Sequence, residues 1–148
     1  MPSRYKLREL IFSILFQVEV GDQEPERLLD REIIDSEIPI EDRKFFRMLV
    51  RGVVSKKTEI DTVVGEYAKG WKVDRIARAD LTILRMAVFE ILFKLAGYEA
   101  DPPVVINEAV RLAKKYSGPD AGKFVNGILG SIVRDMDDDT KLVSSMVK

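Results

Sequence analysis

The stretch RIARADLTILRMAVFEILFKL, residues 75–95, decides the fold. At about 100° per residue, the apolar side chains from Leu81 to Leu95 cover nearly every side of a helix. A helix that is apolar all round belongs in the middle of a core, so other helices must surround it. Between Asp80 and Lys94, Arg85 and Glu90 are the charges on this helix. Each needs a partner if buried, and Glu108 is a candidate for Arg85.

Upstream, the pattern supplies such neighbours. Leu7, Leu10, Ile11, Ile14, Leu15 and Val18 follow the i, i+3, i+4, i+7 rhythm of a buried stripe, and Gly21 and Asp22 end it. A short second helix starts near Pro25, with Leu28, Leu29 and Ile33 inward, and closes at DSEIP. From Glu41 to Ala68 the residues Phe45, Phe46, Leu49, Val53, Ile60, Val63, Val64 and Tyr67 stay in helical register. SKKT (55–58) lies in the middle, and Thr58 with Asp61 resembles a capping box, which predicts two consecutive helices. KGWKV (69–73) joins the two halves. After AGYEADPP (96–103) come a helix from about Pro103 to Tyr116 and another from Pro119 to about Arg134. The acidic end, DMDDDTKLVSSMVK, reads as a frayed tail. Without an alternating strand or Asn-Gly hairpin, the expectation is an all-α protein of six to seven helices and no sheet.

Composition narrows the chemistry. The chain has 148 residues, 46% hydrophobic and 33% charged, enough for one packed domain or two small helical lobes. It lacks cysteine and histidine, which removes disulfides, thiolate metal sites and the commonest general base. Scattered Asp, Glu, Lys and Ser are a poor basis for catalysis, so neither an enzyme nor a cofactor is expected. No apolar run approaches the roughly 20 residues of a membrane span. The start, MPSRYKLRELIFSILF, has charges inside it and no small-residue cleavage site, so a cytoplasmic protein is expected. The net charge of −1 means that nucleic-acid binding would need a local basic patch.

Two segments invite a functional reading. SGPDAGKFVNGIL (117–129) imitates a phosphate loop, but Gly118 and Gly122 enclose three residues instead of four. Phe124 stands where the magnesium-binding hydroxyl should be, and the preceding residues are helical. Pro119 suits the first position of a helix capped by Gly118 or Ser117, with Asp120 favoured by the helix dipole. Phe124 lies about 90° from the stripe of Val125, Ile128, Leu129, Ile132 and Val133, and is expected to be partly exposed beside Lys123. An exposed aromatic next to a cation suits stacking on an unpaired base. The alternative is that Phe124 borders the core and Gly127 permits close helix packing.

The first helix carries a second stripe, since Tyr5, Phe12 and Phe16 fall about 140–180° from Leu7. Arg8 lies between the stripes, with Arg4 nearby and Lys6 on another side. These rings meet either the rest of the protein or a ligand, and aromatics with basic residues are what a single-stranded RNA surface requires. DMDDDT (135–140) begins like a calcium loop, but Thr140 replaces the required Gly and Met146 the bidentate Glu.

KGWKVDRIARADLTILRMAVFEI (69–91), INEAVRLAKKY (106–116) and GKFVNGIL (122–129), in this order, resemble the transcription antitermination factor NusB family. The resemblance covers essentially the whole chain. It implies two roughly perpendicular three-helix lobes, about residues 3–70 and 72–135. It further implies binding of the box A element of ribosomal RNA leaders, together with ribosomal protein NusE, in a complex that keeps RNA polymerase elongating. By motif, the RNA-facing positions are Arg4, Lys6, Arg8 and Phe16 in the first helix, and Asp80, Asp120, Lys123 and Phe124. Asp80 and Asp120 would tune affinity, since carboxylates repel phosphate. Three features depart from the pattern. The basic N-terminal segment is sparser than in several relatives, LAGYEADPP is longer than the usual link, and the acidic tail is extra. The alternatives are a docking module like the first domain of ribosomal RNA cytosine methyltransferases, or a homodimer built on the aromatic stripe.

Overall fold

A computed structural model describes residues 2–93 and 100–136. Seven α-helices and one 3-10 turn account for its regular structure, with no strand among the described residues. Packing divides the chain into a unit ending at Ser55 and a unit beginning at Lys56.

The first unit holds α1 (Arg4–Gly21), α2 (Pro25–Asp35) and α3 (Ile40–Ser55), each packed on the other two. Ser3 caps α1, its Oγ accepting from the Lys6 N–H at 3.0 Å. Leu7, Ile11, Ile14 and Leu15 are buried as the periodicity predicts, each worth roughly 1.5–3 kcal/mol of apolar burial, while Leu10 and Val18 are half-buried. Asp22, in the left-handed conformation at φ 50°, ends the helix. Leu28, Leu29 and Ile33 of α2 face the core, as do Phe45, Phe46, Leu49, Val50 and Val53 of α3. The Arg43 Nε–H donates to the Ile38 carbonyl at 2.9 Å and ties the turn before α3 to that helix.

The second unit holds α4 (Lys57–Tyr67), a 3-10 turn (Val73–Arg75), α5 (Arg78–Leu92), α6 (Pro102–Tyr116) and α7 (Pro119–Asp135). Every residue of α5 from Asp80 to Ile91 is buried, and α4, α6 and α7 all pack on it. This is what the all-round apolar pattern requires. Thr82, buried in this helix, satisfies its hydroxyl by donating to the Arg78 carbonyl at 2.7 Å.

One detail corrects the sequence reading. Lys56 is the N-cap of α4 and makes no side-chain cap bond, while Thr58 lies inside the helix, so Thr58 and Asp61 do not form a capping box. Asp61 instead faces α5, where its carboxylate accepts from Arg85 Nε at 2.8 Å and Nη2 at 2.9 Å. This pair fastens α4 to the central helix. Packing groups α4 with α5 and α7, in the unit that begins at Lys56. Tyr67 at the end of α4 adds to that grouping by donating to Asp135 Oδ2 at 2.7 Å.

Gly118 both ends α6 and begins α7. Its N–H donates to the Ala113 carbonyl at 3.0 Å, and its own carbonyl accepts from the Gly122 N–H at 3.3 Å. The backbone there adopts φ 116° and ψ 177°, a region essentially restricted to glycine. Gly122 serves close approach: a Cβ there would come within 2.8 Å of Lys114 Cγ on α6. Gly127 does not, because a Cβ would meet nothing within 4 Å. Close packing is therefore not the reason for that glycine. The tail from 137 onward and most of the LAGYEADPP link lie outside the described residues.

Candidate nucleic-acid interface

In the first unit, the two arginines at the start of α1 lie over one ring. The guanidinium carbon of Arg4 sits 3.9 Å from the centroid of Phe45, and that of Arg8 lies 5.5 Å from the same ring. Both distances suit cation–π attraction, which holds two long side chains over α3. Their exposure differs. Arg4 is exposed, whereas Arg8 is 6% exposed and lies within the packed layer. Lys6 projects outward, its ammonium 3.4 Å from Glu9 Oε1. Of the second stripe, Phe12 is buried and Tyr5 and Phe16 are half-buried. The Phe12 and Phe16 rings stand 5.8 Å apart, so part of Phe16 is presented beside a buried ring that fixes it.

In the second unit, the other sequence-selected residues gather around an open cleft of about 460 Å³ at the start of α7. Asp80 from the first turn of α5, and Asp120 and Phe124 from α7, line it. Lys123 is exposed between Gly122 and Phe124. Phe124 is half-buried, as its position 90° from the core stripe predicts. The helix start at Gly118 and Pro119 places Asp120 and Phe124 one turn apart and therefore on one face.

Sequence reasoning missed two members of this cleft, Trp71 and Arg75. Trp71 is 55% exposed, and its ring meets Phe124 at 6.3 Å between centroids and 69° between planes. The signal was available in KGWKV: the one tryptophan of the chain stands between lysines in a loop, outside any helical stripe. Asp80 is 8% exposed, and its Oδ1 is buried without a protein hydrogen-bond partner. Among the described residues, no group of three or more acidic side chains could hold a metal ion. None of the described helices is long and apolar enough to cross a membrane.

The fold and these surfaces define a class, an all-helical two-unit protein that presents cations beside partly exposed rings. A family model described as the NusB family matches residues 5–134, and the chain belongs to that family. It is 42% identical over 144 residues to the transcription antitermination protein NusB of Symbiobacterium thermophilum, covering 90% of this chain and 91% of that protein. The protein of the same name from Desulforamulus reducens is 34% identical over 145 residues, covering 97% and 98%. Among solved structures, NusB of T. maritima superposes with a TM-score of 0.79 at 31% identity, over 90% of this chain and 92% of that one. A crystal structure of antitermination factors NusB and NusE in complex with dsRNA contains a chain that superposes at 0.76 and 28% identity, over 90% and 98%.

Proposed function

We propose that this protein is an RNA-binding transcription antitermination factor. It takes the box A element of ribosomal RNA leader transcripts together with ribosomal protein NusE and keeps RNA polymerase elongating. The observation that carries this reading is the near full-length likeness to proteins named for transcription antitermination. The geometry supports it in both units. On α1, exposed Arg4 and Lys6 suit phosphate, and the half-buried ring of Phe16 suits a base. Arg8 acts from behind, holding Phe45 and through it the position of Arg4. On α7, Lys123 suits phosphate and Phe124 a base. Asp80 and Asp120 temper the attraction and leave room for specificity.

The test is a titration of a labelled box A oligonucleotide, read by fluorescence anisotropy, with and without NusE, across salt concentrations. Binding is expected to weaken with salt at a log–log slope of roughly −0.7 per neutralised phosphate. Arg4→Ala and Lys6→Ala should each flatten that slope. Absence of binding in both arms at low salt would sink the proposal.

A further inference from the structure

The first turn of α1 carries a cation that the helix itself does not need. Arg4 is the first residue of α1, where the helix dipole disfavours positive charge, and no acid stands in that turn to offset it. The residue is exposed, yet among the described residues it has neither an ion pair nor a side-chain hydrogen bond. Lys6 differs, since its ammonium lies 3.4 Å from Glu9 Oε1 and part of its charge is already countered. What Arg4 does touch is Phe45 of α3. The guanidinium carbon lies over that ring, 3.9 Å from its centroid, which is direct contact. Phe45 is 4% exposed and packed in the core, so the ring is a fixed platform. The arginine rests on it with its N–H donors uncommitted.

We propose that Phe45 is a positioning residue for RNA binding: its ring holds the Arg4 guanidinium in place before RNA arrives, leaving the N–H donors for the phosphate backbone. The inference rests on the RNA-binding function proposed above and adds to it the residue that arranges Arg4 in advance. An arginine loose in solvent spreads over many rotamers and must be ordered on binding. A cation–π contact at an exposed site raises the held population about two- to fivefold. Apparent affinity scales with the fraction of molecules already in the competent arrangement, so the same factor passes to RNA binding. Lysine is a poor substitute, because its hydrated ammonium has no flat face for the ring and no fork for phosphate. The competing role for the contact is packing alone, with the arginine stem shielding the ring. Packing depends on apolar area, whereas the proposed role depends on the negative face of the ring. Fluorine separates the two, since it withdraws charge from that face while nearly keeping the ring's shape.

The full chain is prepared with phenylalanine or with mono-, tri- or pentafluorophenylalanine at position 45. Each form is titrated with a labelled single-stranded box A oligonucleotide at low salt and read by anisotropy, in the native background and with Arg4→Ala. The Kd is expected to rise stepwise with fluorination, reaching about two- to fivefold, while the melting temperature stays nearly constant. With Arg4→Ala the series should be flat. In the free protein, the ring current should shift the Arg4 side-chain protons upfield in NMR spectra, and Phe45→Leu should abolish that shift. A flat series in the native background, with RNA still bound, overturns the proposal and leaves the RNA-binding function standing. A series that falls equally with Arg4→Ala also overturns it, assigning the ring to packing or to Arg8. Arg4 protons without the upfield shift overturn it as well, because the arginine is then not held in advance. No RNA binding by the native chain removes the function and the inference together.

Discussion

Replacing Asp61 by Asn is expected to destabilise the second unit by about 2–3 kcal/mol. The carboxylate accepts two hydrogen bonds from Arg85, at 2.8 and 2.9 Å, and the side chains are 7% exposed for Arg85 and 24% for Asp61. Removing one partner of a fully buried pair costs about 3–5 kcal/mol, much of it from the charge left behind. Two features lower that figure here. Water reaches a quarter of Asp61, and the amide oxygen of Asn still accepts one of the two bonds. The internal control is the pair Arg51–Glu26, whose contacts of 2.6, 2.9 and 3.0 Å are as short but whose side chains are half exposed, 54% and 50%. Arg51→Ala should leave the unfolding midpoint nearly unmoved, because solvent screens an exposed pair and holding it costs side-chain entropy. Urea unfolding, followed by circular dichroism and by Trp71 emission, reads both variants as midpoint shifts at constant slope. A double variant, Asp61→Leu with Arg85→Met, should regain most of the loss, since apolar groups of similar size can replace a buried pair. The reasoning fails if Asp61→Asn shifts the midpoint no more than Arg51→Ala. It also fails if the double variant is as unstable as the single one.

Three further outcomes are expected. The substitution Gly→Ala should have opposite signs at two positions of one segment. At Gly127, in an open helical position, it should stabilise by roughly 0.5–1 kcal/mol, and at Gly118, with φ 116°, it should destabilise by about 2 kcal/mol; thermal melts check both. The Glu26 carboxyl is held below the ordinary glutamate value, chiefly by its hydrogen bonds with Arg51, so an NMR pH titration should place its midpoint low and Arg51→Ala should restore it. Because the folded value is the depressed one, whatever stability the pair contributes is present above the ordinary glutamate value and is lost as pH falls through the folded value. Phe124→Ala should weaken RNA binding by about 1–3 kcal/mol, the worth of one base–aromatic stack, with little change in melting temperature. A melting loss without an RNA effect would assign Phe124 to packing.

The helices were legible because their cause is local. Apolar spacing marked the α1, α2, α3 and α7 stripes, the all-round pattern of 81–95 marked α5 as the helix others must cover, and Pro119 marked the start of α7. Charges were the less legible part. Thr58 and Asp61 have the spacing of a cap, and nothing within α4 says that Asp61 turns to α5. Arg8 shows the same limit: the helical wheel places it between two stripes, but the fold buries it, with its guanidinium 5.5 Å from the ring of Phe45, 37 positions later.

By itself, the sequence determined the all-helical class, the family and the two places where cations sit beside rings, because helical register and motif spacing are properties of neighbouring residues. Tertiary structure decided which of those residues face solvent. It put Arg8 out of reach while leaving Arg4 exposed, gave Asp61 to Arg85, and brought Trp71 and Asp80 together with Asp120 and Phe124 in one cleft. Those pairings join residues far apart in the chain, and only packing sets the distances over which charges and rings act.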